Sequence, residues 1–253
     1  MHSVEVSMTE RAQIKQDFIA RRGYWRPWVE TLLQASPQFV AQYARYAGYP
    51  AQNGPLSERM VELVYVALDA SSTHMFEVGL VTHMRRALEV GASAADIFDV
   101  LHLVAVQGLV CVGAAAEILQ ELAPDPVPAD AESASLQPRL DAALMAHGLA
   151  LQAVAQMDSG YAQVLLDFAE HGAQPQGLNA AERCLVQISM HACFTAFQPQ
   201  TLRNLMDSAL QLGCSKAEIL QVIQLSAHLA VHGTALGANA YRQVCEKKSS
   251  PSQ

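Results

Sequence analysis

Positive charge is scarce in this 253-residue chain: 16 Lys+Arg stand against 24 Asp+Glu, leaving a net charge of −8. Without a basic stripe to neutralise a phosphate backbone, nucleic acid is excluded as a partner. Cysteine is sparse and lacks a pairing pattern. Cys111, Cys184, Cys193, Cys214 and Cys245 are odd in number and contain no C-x-x-C, which fits reduced thiols rather than a disulfide framework. The opening MHSVEVSMTERAQIKQDF has neither the basic nor the apolar region of a secretory signal, so a cytoplasmic location is expected. Also missing are a G-x-S-x-G elbow, a Walker A loop and a dinucleotide fingerprint, which removes the hydrolase, nucleotide and Rossmann readings that such motifs carry. No alternating apolar run is bounded by hairpin turns, so nothing supports a sheet.

What is present is apolar and helical. Hydrophobic residues make up 51% of the chain, enough for a substantial core. Ile219 to Tyr241 holds no Asp, Glu, Lys or Arg and is long enough to cross a bilayer. Its Gln221, Gln224, His228, His232 and Asn239 would be left unpaired in hydrocarbon, so a core or interface helix is expected and no membrane partner.

Shifting the sequence by 122 positions aligns residues 35–120 with 157–242 without a gap. Leu56 falls on Leu178, Thr73 on Thr195, Leu80 on Leu202, Met84 on Met206, Gly91 on Gly213, Ser93 on Ser215 and Ile97 on Ile219. Agreement at apolar, glycine and cap positions means two copies of one helical unit. The expected division is a first copy with extra N-terminal helices over 1–121, a linker over 122–143, a second copy over 144–243 and a disordered tail over 244–253. Pro124, Pro126 and Pro128 interrupt helix in the linker, which is also too polar to bury much surface.

Within the first copy, Leu56, Met60, Leu63, Val64 and Ala67 fall on one helical face. Leu80, Met84, Ala87 and Leu88 form another, with Arg85, Arg86 and Glu89 turned away. Gly91 ends that helix and Ser93-x-x-Asp96 caps the next, as Gly213 and Ser215-x-x-Glu218 do in the second copy.

His83 shares the apolar side with Ala87, so a titratable ring is directed inward, where it can exchange a proton near neutral pH. A core histidine satisfied by one backbone hydrogen bond has the same placement. Against that bland reading, Thr73, His74 and Glu77 lie within ten residues, and the second copy puts Leu205 and Ala196 where the first has His83 and His74. The apolar framework was kept while both imidazoles were lost, the mark of a site surviving in one copy. His228 and His232 stand at the i, i+4 spacing of a metal clip, but no third ligand accompanies them and no metal is expected.

These segments resemble the carboxymuconolactone decarboxylase family, which includes the alkylhydroperoxidase-D-like proteins. The resemblance is carried by Leu56-Ser-Glu-Arg-Met-Val-Glu62-Leu, by T-H-x-x-x-x-G-x-x-x-His83-x-x-x-Ala87-Leu and by the Gly91-Ala-Ser93 turn. It implies an all-α, alkylhydroperoxidase-D-like fold in two tandem repeats and a homotrimer of duplicated chains. It further implies a cofactor-independent decarboxylase acting on a small unsaturated lactone or carboxylic acid from aromatic catabolism. His83, His74 and Glu77 are the implied catalytic residues. His83 would return the proton, His74 or Thr73 would orient the substrate, and Glu77 would hold a histidine tautomer. Thr73, Glu62 and His232 are the implied substrate-binding positions, His232 standing where some duplicated relatives carry a histidine and the first copy has Val110. Arg59, Arg85 and Arg86 read as solvated surface. An isomerase of a ring-cleavage product would use the same equipment, and a member that only binds a small molecule is the third reading. The peroxidase branch carries a C-x-x-C where this chain has Phe76 and Gly79, so thiol peroxidase chemistry is excluded.

Overall fold

A computed structural model describes residues 6–124, 131–171 and 176–249. Among these residues every regular element is helical: α1 (Met8–Arg22), α2 (Pro27–Ala35), α3 (Pro37–Asn53), α4 (Glu58–Ala70), α5 (Glu77–Glu89), α6 (Ala94–Val106) and α7 (Leu109–Leu122) come first. They are followed by α8 (Ala131–Ser135), α9 (Gln137–His147), α10 (Gln152–Met157), α11 (Ser159–His171), α12 (Ala180–His191), α13 (Pro199–Gln211), α14 (Lys216–Ala227) and α15 (Val231–Ser249).

The repeat is reproduced helix by helix. The pairs α3/α11, α4/α12, α5/α13 and α6/α14 each begin 122 residues apart. Their boundaries follow from local chemistry. Gly91 at φ +96° and Gly213 at φ +91° adopt the left-handed conformation that ends a helix without a Cβ penalty. Ser93 Oγ then accepts from Asp96 N at 3.1 Å while Asp96 Oδ2 accepts from Ser93 N at 2.7 Å. Ser215 and Glu218 repeat this box at 3.2 and 2.7 Å.

Residues 1–54 with 228–253 form one compact unit, and 55–227 a second. In the first, Phe18 is fully buried, edge-on to Tyr24 and Trp25 with centroids 5.4 Å away in each case. Trp28, Val29, Leu33, Val40, Tyr43 and Ala47 complete this core with Val231, Ala235 and Ala238 from α15. Phe18→Ala should lower the unfolding free energy by roughly 3–5 kcal/mol, the range for truncating a buried aromatic; calorimetry would check it, and a loss under about 1 kcal/mol would contradict this packing.

In the second unit α4 and α12 are central and touch each other, α4 flanked by α5 and α6, α12 by α13 and α14. Residues 63–69 of α4 and 183–191 of α12 are buried all round, as expected of core helices. The sequence marked only one face of α4, because residues such as Val61 and Val66 are buried by a neighbour that periodicity does not reveal. Leu88, expected on the inward side of α5, is instead exposed, as are Val78 and Val81.

The compact units are not the sequence copies. The last helix of each copy packs on an early helix of the other: α7 lies on α10 in the second unit, and α15 on α2 in the first. Gly113 marks the closeness of the α7 approach, since a Cβ there would overlap the Ala150 carbonyl.

Within the stretch expected to be linker, residues 125–130 lie outside the described residues, but α8 forms at Ala131–Ser135 and Leu136 is buried. Apolar Leu136 and Leu140 anchor this part on the core, outweighing its polar composition. In the expected tail, α15 runs on to Ser249, and residues 250–253 are outside the described residues. Ala94–Leu122 and Lys216–Glu246 have the length and composition of membrane spans. Gln221, in the latter, is buried with Oε1 accepting from Leu56 N at 2.7 Å, and a 3₁₀ turn at His228–Ala230 interrupts the stretch.

Candidate active site

One face of α4 presents Glu62, Tyr65 and Asp69 at i, i+3 and i+7, and α5 lays His83 across them. His83 Nδ1 lies 2.7 Å from Glu62 Oε2. A carboxylate only accepts, so Nδ1 carries the hydrogen and Nε2 is left as the working nitrogen. Nε2 is 4.0 Å from Asp69 Oδ2. The Tyr65 ring packs over the imidazole, with centroids 4.6 Å apart. The His83 side chain is 18% exposed and that of Glu62 14%, so the ring is sheltered but not sealed from solvent.

Gly79 makes this closeness possible. A Cβ at position 79 would overlap the Asp69 carboxylate and come within 2.5 Å of the Phe76 ring. A cysteine could not stand there without moving Asp69, which adds a steric argument to the missing C-x-x-C. Gly79→Ala should cost roughly 1–3 kcal/mol of stability, the usual range for overpacking, measured by urea denaturation. A wild-type midpoint would show that α4 and α5 are less closely packed than described.

His74 is placed elsewhere. Its Nε2 lies 3.1 Å from Cys193 Sγ and 3.4 Å from Thr195 Oγ1, both in the second copy's equivalent loop. Burial pulls its pKa below the usual histidine value. Thr73 accepts from Thr195, its own repeat equivalent, at 3.0 Å. Glu77 is exposed in the first turn of α5; the carboxylate that fixes the His83 tautomer is Glu62, because α4 rather than the start of α5 faces that ring. His232 is half-buried on α15, in the unit of residues 1–54 and 228–253, whereas His74 and His83 belong to residues 55–227. His228 lies in the 3₁₀ turn rather than on one helix with His232. Its Nε2 faces Arg22 Nη2 at 3.4 Å, and since guanidinium only donates, the ring accepts there. Arg59 is not solvated surface: it bridges Asp96 and Glu182, at 2.6 Å each. Arg86 pairs with Glu58 and Glu89, while Arg85 is exposed.

Tyr65 and Asp69 were not singled out from the sequence, although the repeat contained the signal. At the second copy's equivalent positions Glu62, Tyr65, Asp69 and His83 become Cys184, Gln187, His191 and Leu205. The equivalent place in the second copy is filled by buried side chains. Leu205 is fully buried, a Cβ on Gly148 would sit 3.0–3.1 Å from Thr201 and Leu205, and His147 Nδ1 donates to Gln187 Oε1 at 3.0 Å. Burial raises the Cys184 thiol to about 11, so it is an inert core group.

A duplicated helical fold with a partly exposed histidine–carboxylate cluster in the first copy and a buried, altered counterpart in the second is the class these features define. Residues 37–121 match the profile of the carboxymuconolactone decarboxylase family. Among solved structures, the chain is similar to a protein from Burkholderia xenovorans provisionally assigned as a gamma-carboxymuconolactone decarboxylase subunit. Identity is 20%, the TM-score is 0.84, and the likeness covers 94% of this chain and 98% of that one. This is a likeness of fold, and it spans both copies. A search of curated proteins finds no match.

Proposed function

We propose that the chain is a cofactor-independent enzyme working through an enolate, a decarboxylase of the carboxymuconolactone type acting on a small unsaturated lactone acid. The observation that carries this reading is the 2.7 Å His83–Glu62 pair beneath Tyr65. Loss of CO2 from such a substrate breaks a C–C bond and leaves its electron pair delocalised onto the lactone carbonyl as a dienolate. His83 Nε2, having taken up a proton from solvent, delivers it to carbon, and Glu62 balances the charge the ring carries while it holds that proton. General acid–base groups of this kind contribute roughly 10²–10⁴-fold. Purified protein incubated with unsaturated lactone acids should release CO2, followed by a coupled carbonate assay. Binding without turnover across the series would instead support a member whose chemistry has lapsed.

One observation favours isomerisation as a second reading. Two carboxylates, Glu62 and Asp69, flank the His83 ring, whereas Arg59 and Arg86 are engaged by acidic partners. A neutral carbon acid would meet less repulsion there than a carboxylate. His83 would then remove a proton from one carbon and return it to another, giving an absorbance change with no loss of mass.

Exposed Val78, Val81 and Leu88 along α5 support assembly of the chain with copies of itself, and a homotrimer is the state proposed. Light scattering should give three times 27.3 kDa. A monomer at micromolar concentration would contradict it.

A further inference from the structure

The cluster at His74 is separate chemistry from the His83 pair. Thr73 and His74 of the first copy meet Cys193 and Thr195 of the second, where the repeat-equivalent loops 71–76 and 193–198 come face to face. Hydroxyls form a continuous chain: Thr195 donates to Thr73 at 3.0 Å, Thr73 lies 3.1 Å from Ser71, and Ser71 donates to Gln107 Oε1 at 3.0 Å. Cys193 Sγ stands at the other end, 3.1 Å from His74 Nε2 and 3.4 Å from Thr195 Oγ1. A thiol within hydrogen-bonding reach of an imidazole is the arrangement that generates a nucleophilic sulfur.

Two further features set this thiol apart. Met75, next to His74, is the one non-glycine residue with positive φ among those described, at +45°. Its counterpart Phe197 has no such conformation, so the strain belongs to the loop that carries the imidazole. Burial also holds His74 below the ordinary histidine pKa, which keeps it neutral and able to accept a proton at pH 7. The thiol is itself buried, but it touches the hydroxyl of exposed Thr195 and the ring of half-buried His74. The sulfur therefore lies one side chain below the surface.

We propose that Cys193 and His74 form a second reactive site, which takes small α,β-unsaturated carbonyl compounds by thiol addition. His74 Nε2 takes the thiol proton, and the sulfur forms a bond to the β-carbon of the acceptor. The C=C π pair moves onto the carbonyl as an enolate, and the proton held by His74 returns to the α-carbon. The product is a thioether with no proton or electron left over. The site draws one residue from each copy, which gives the second copy a role even though it has lost the counterparts of Glu62 and His83.

The test is alkylation of the full-length protein by acrylamide at pH 7, with each cysteine peptide followed by mass spectrometry. Cys193 should react at least tenfold faster than buried Cys184 and Cys214. His74→Gln, which retains a hydrogen-bond acceptor but cannot take the proton, should slow Cys193 at least tenfold. Its melting temperature and its Cys111 and Cys245 rates should match those of the wild type. Should His74→Gln lower the melting temperature, the wild-type pH–rate profile decides: the Cys193 rate should level off well below the pH at which exposed Cys111 and Cys245 are still accelerating. Equal rates in wild type and His74→Gln, a Cys193 profile that tracks the exposed thiols, or a Cys193 left unlabelled after Cys111 and Cys245 are consumed would overturn the proposal.

Discussion

His83→Ala is expected to reduce turnover by roughly 10²–10⁴-fold, the contribution of a general acid–base group, with little change in melting temperature because the ring is at the edge of the core. Loss of the imidazole removes both the proposed proton donor and the partner of Glu62. Glu62→Gln should cost less, since an amide still accepts from Nδ1–H and holds the ring, but it no longer balances the charge that the ring bears at the transition state. The two variants therefore separate chemistry from positioning. Both should act mainly on kcat with KM close to wild type, as for groups whose interaction strengthens at the transition state. Full activity in His83→Ala with an identified substrate would move the reaction to another part of the molecule.

Acid should unfold the protein in a defined window. His147 and His191 are buried, and burial brings each pKa from 6.5 down to about 4. The folded state holds both rings neutral while the unfolded chain protonates them at the ordinary value. Stability is then complete above about pH 6.5, falls as the pH drops, and levels off below about 4, where both states carry the protons. Each ring accounts for on the order of 3 kcal/mol over that window, at 1.36 kcal/mol per pKa unit. Urea midpoints at pH 7, 5.5 and 4.5 should decline progressively. A midpoint flat from pH 7 to 4.5 would show that neither imidazole is shut away from water.

How much of this was legible beforehand depended on whether a feature repeats. Helix α4 was readable from its apolar periodicity, and the end of α5 and start of α6, with their second-copy counterparts, because Gly91, Ser93, Gly213 and Ser215 mark them by local chemistry. The inward turn of His83 was readable from its phase against Ala87. The choice of carboxylate was not: Glu77 is close in sequence, but only the crossing of α4 over α5 brings Glu62 and Asp69 to the ring. Asp69 also depends on Gly79, and the space that a missing Cβ leaves is a property of two helices together. Cys193 looked like an ordinary buried thiol because its partner lies 119 residues away. The ordered residues from Ala131 onward were hidden by their composition, which suits a linker even where Leu136 and Leu140 pin it to the core.

The crossed placement of α7 on α10 and of α15 on α2 bears on what happens if the chain is cut. Two fragments, one ending near Ala123 and the other starting near Ala131, would each present a helix whose resting place is on the other, so they should co-purify as an obligate pair and neither should persist alone. Covalent fusion in one polypeptide guarantees one-to-one stoichiometry between an intact half and an altered half. Identical separate chains could not maintain that asymmetry, because every substitution would appear in both.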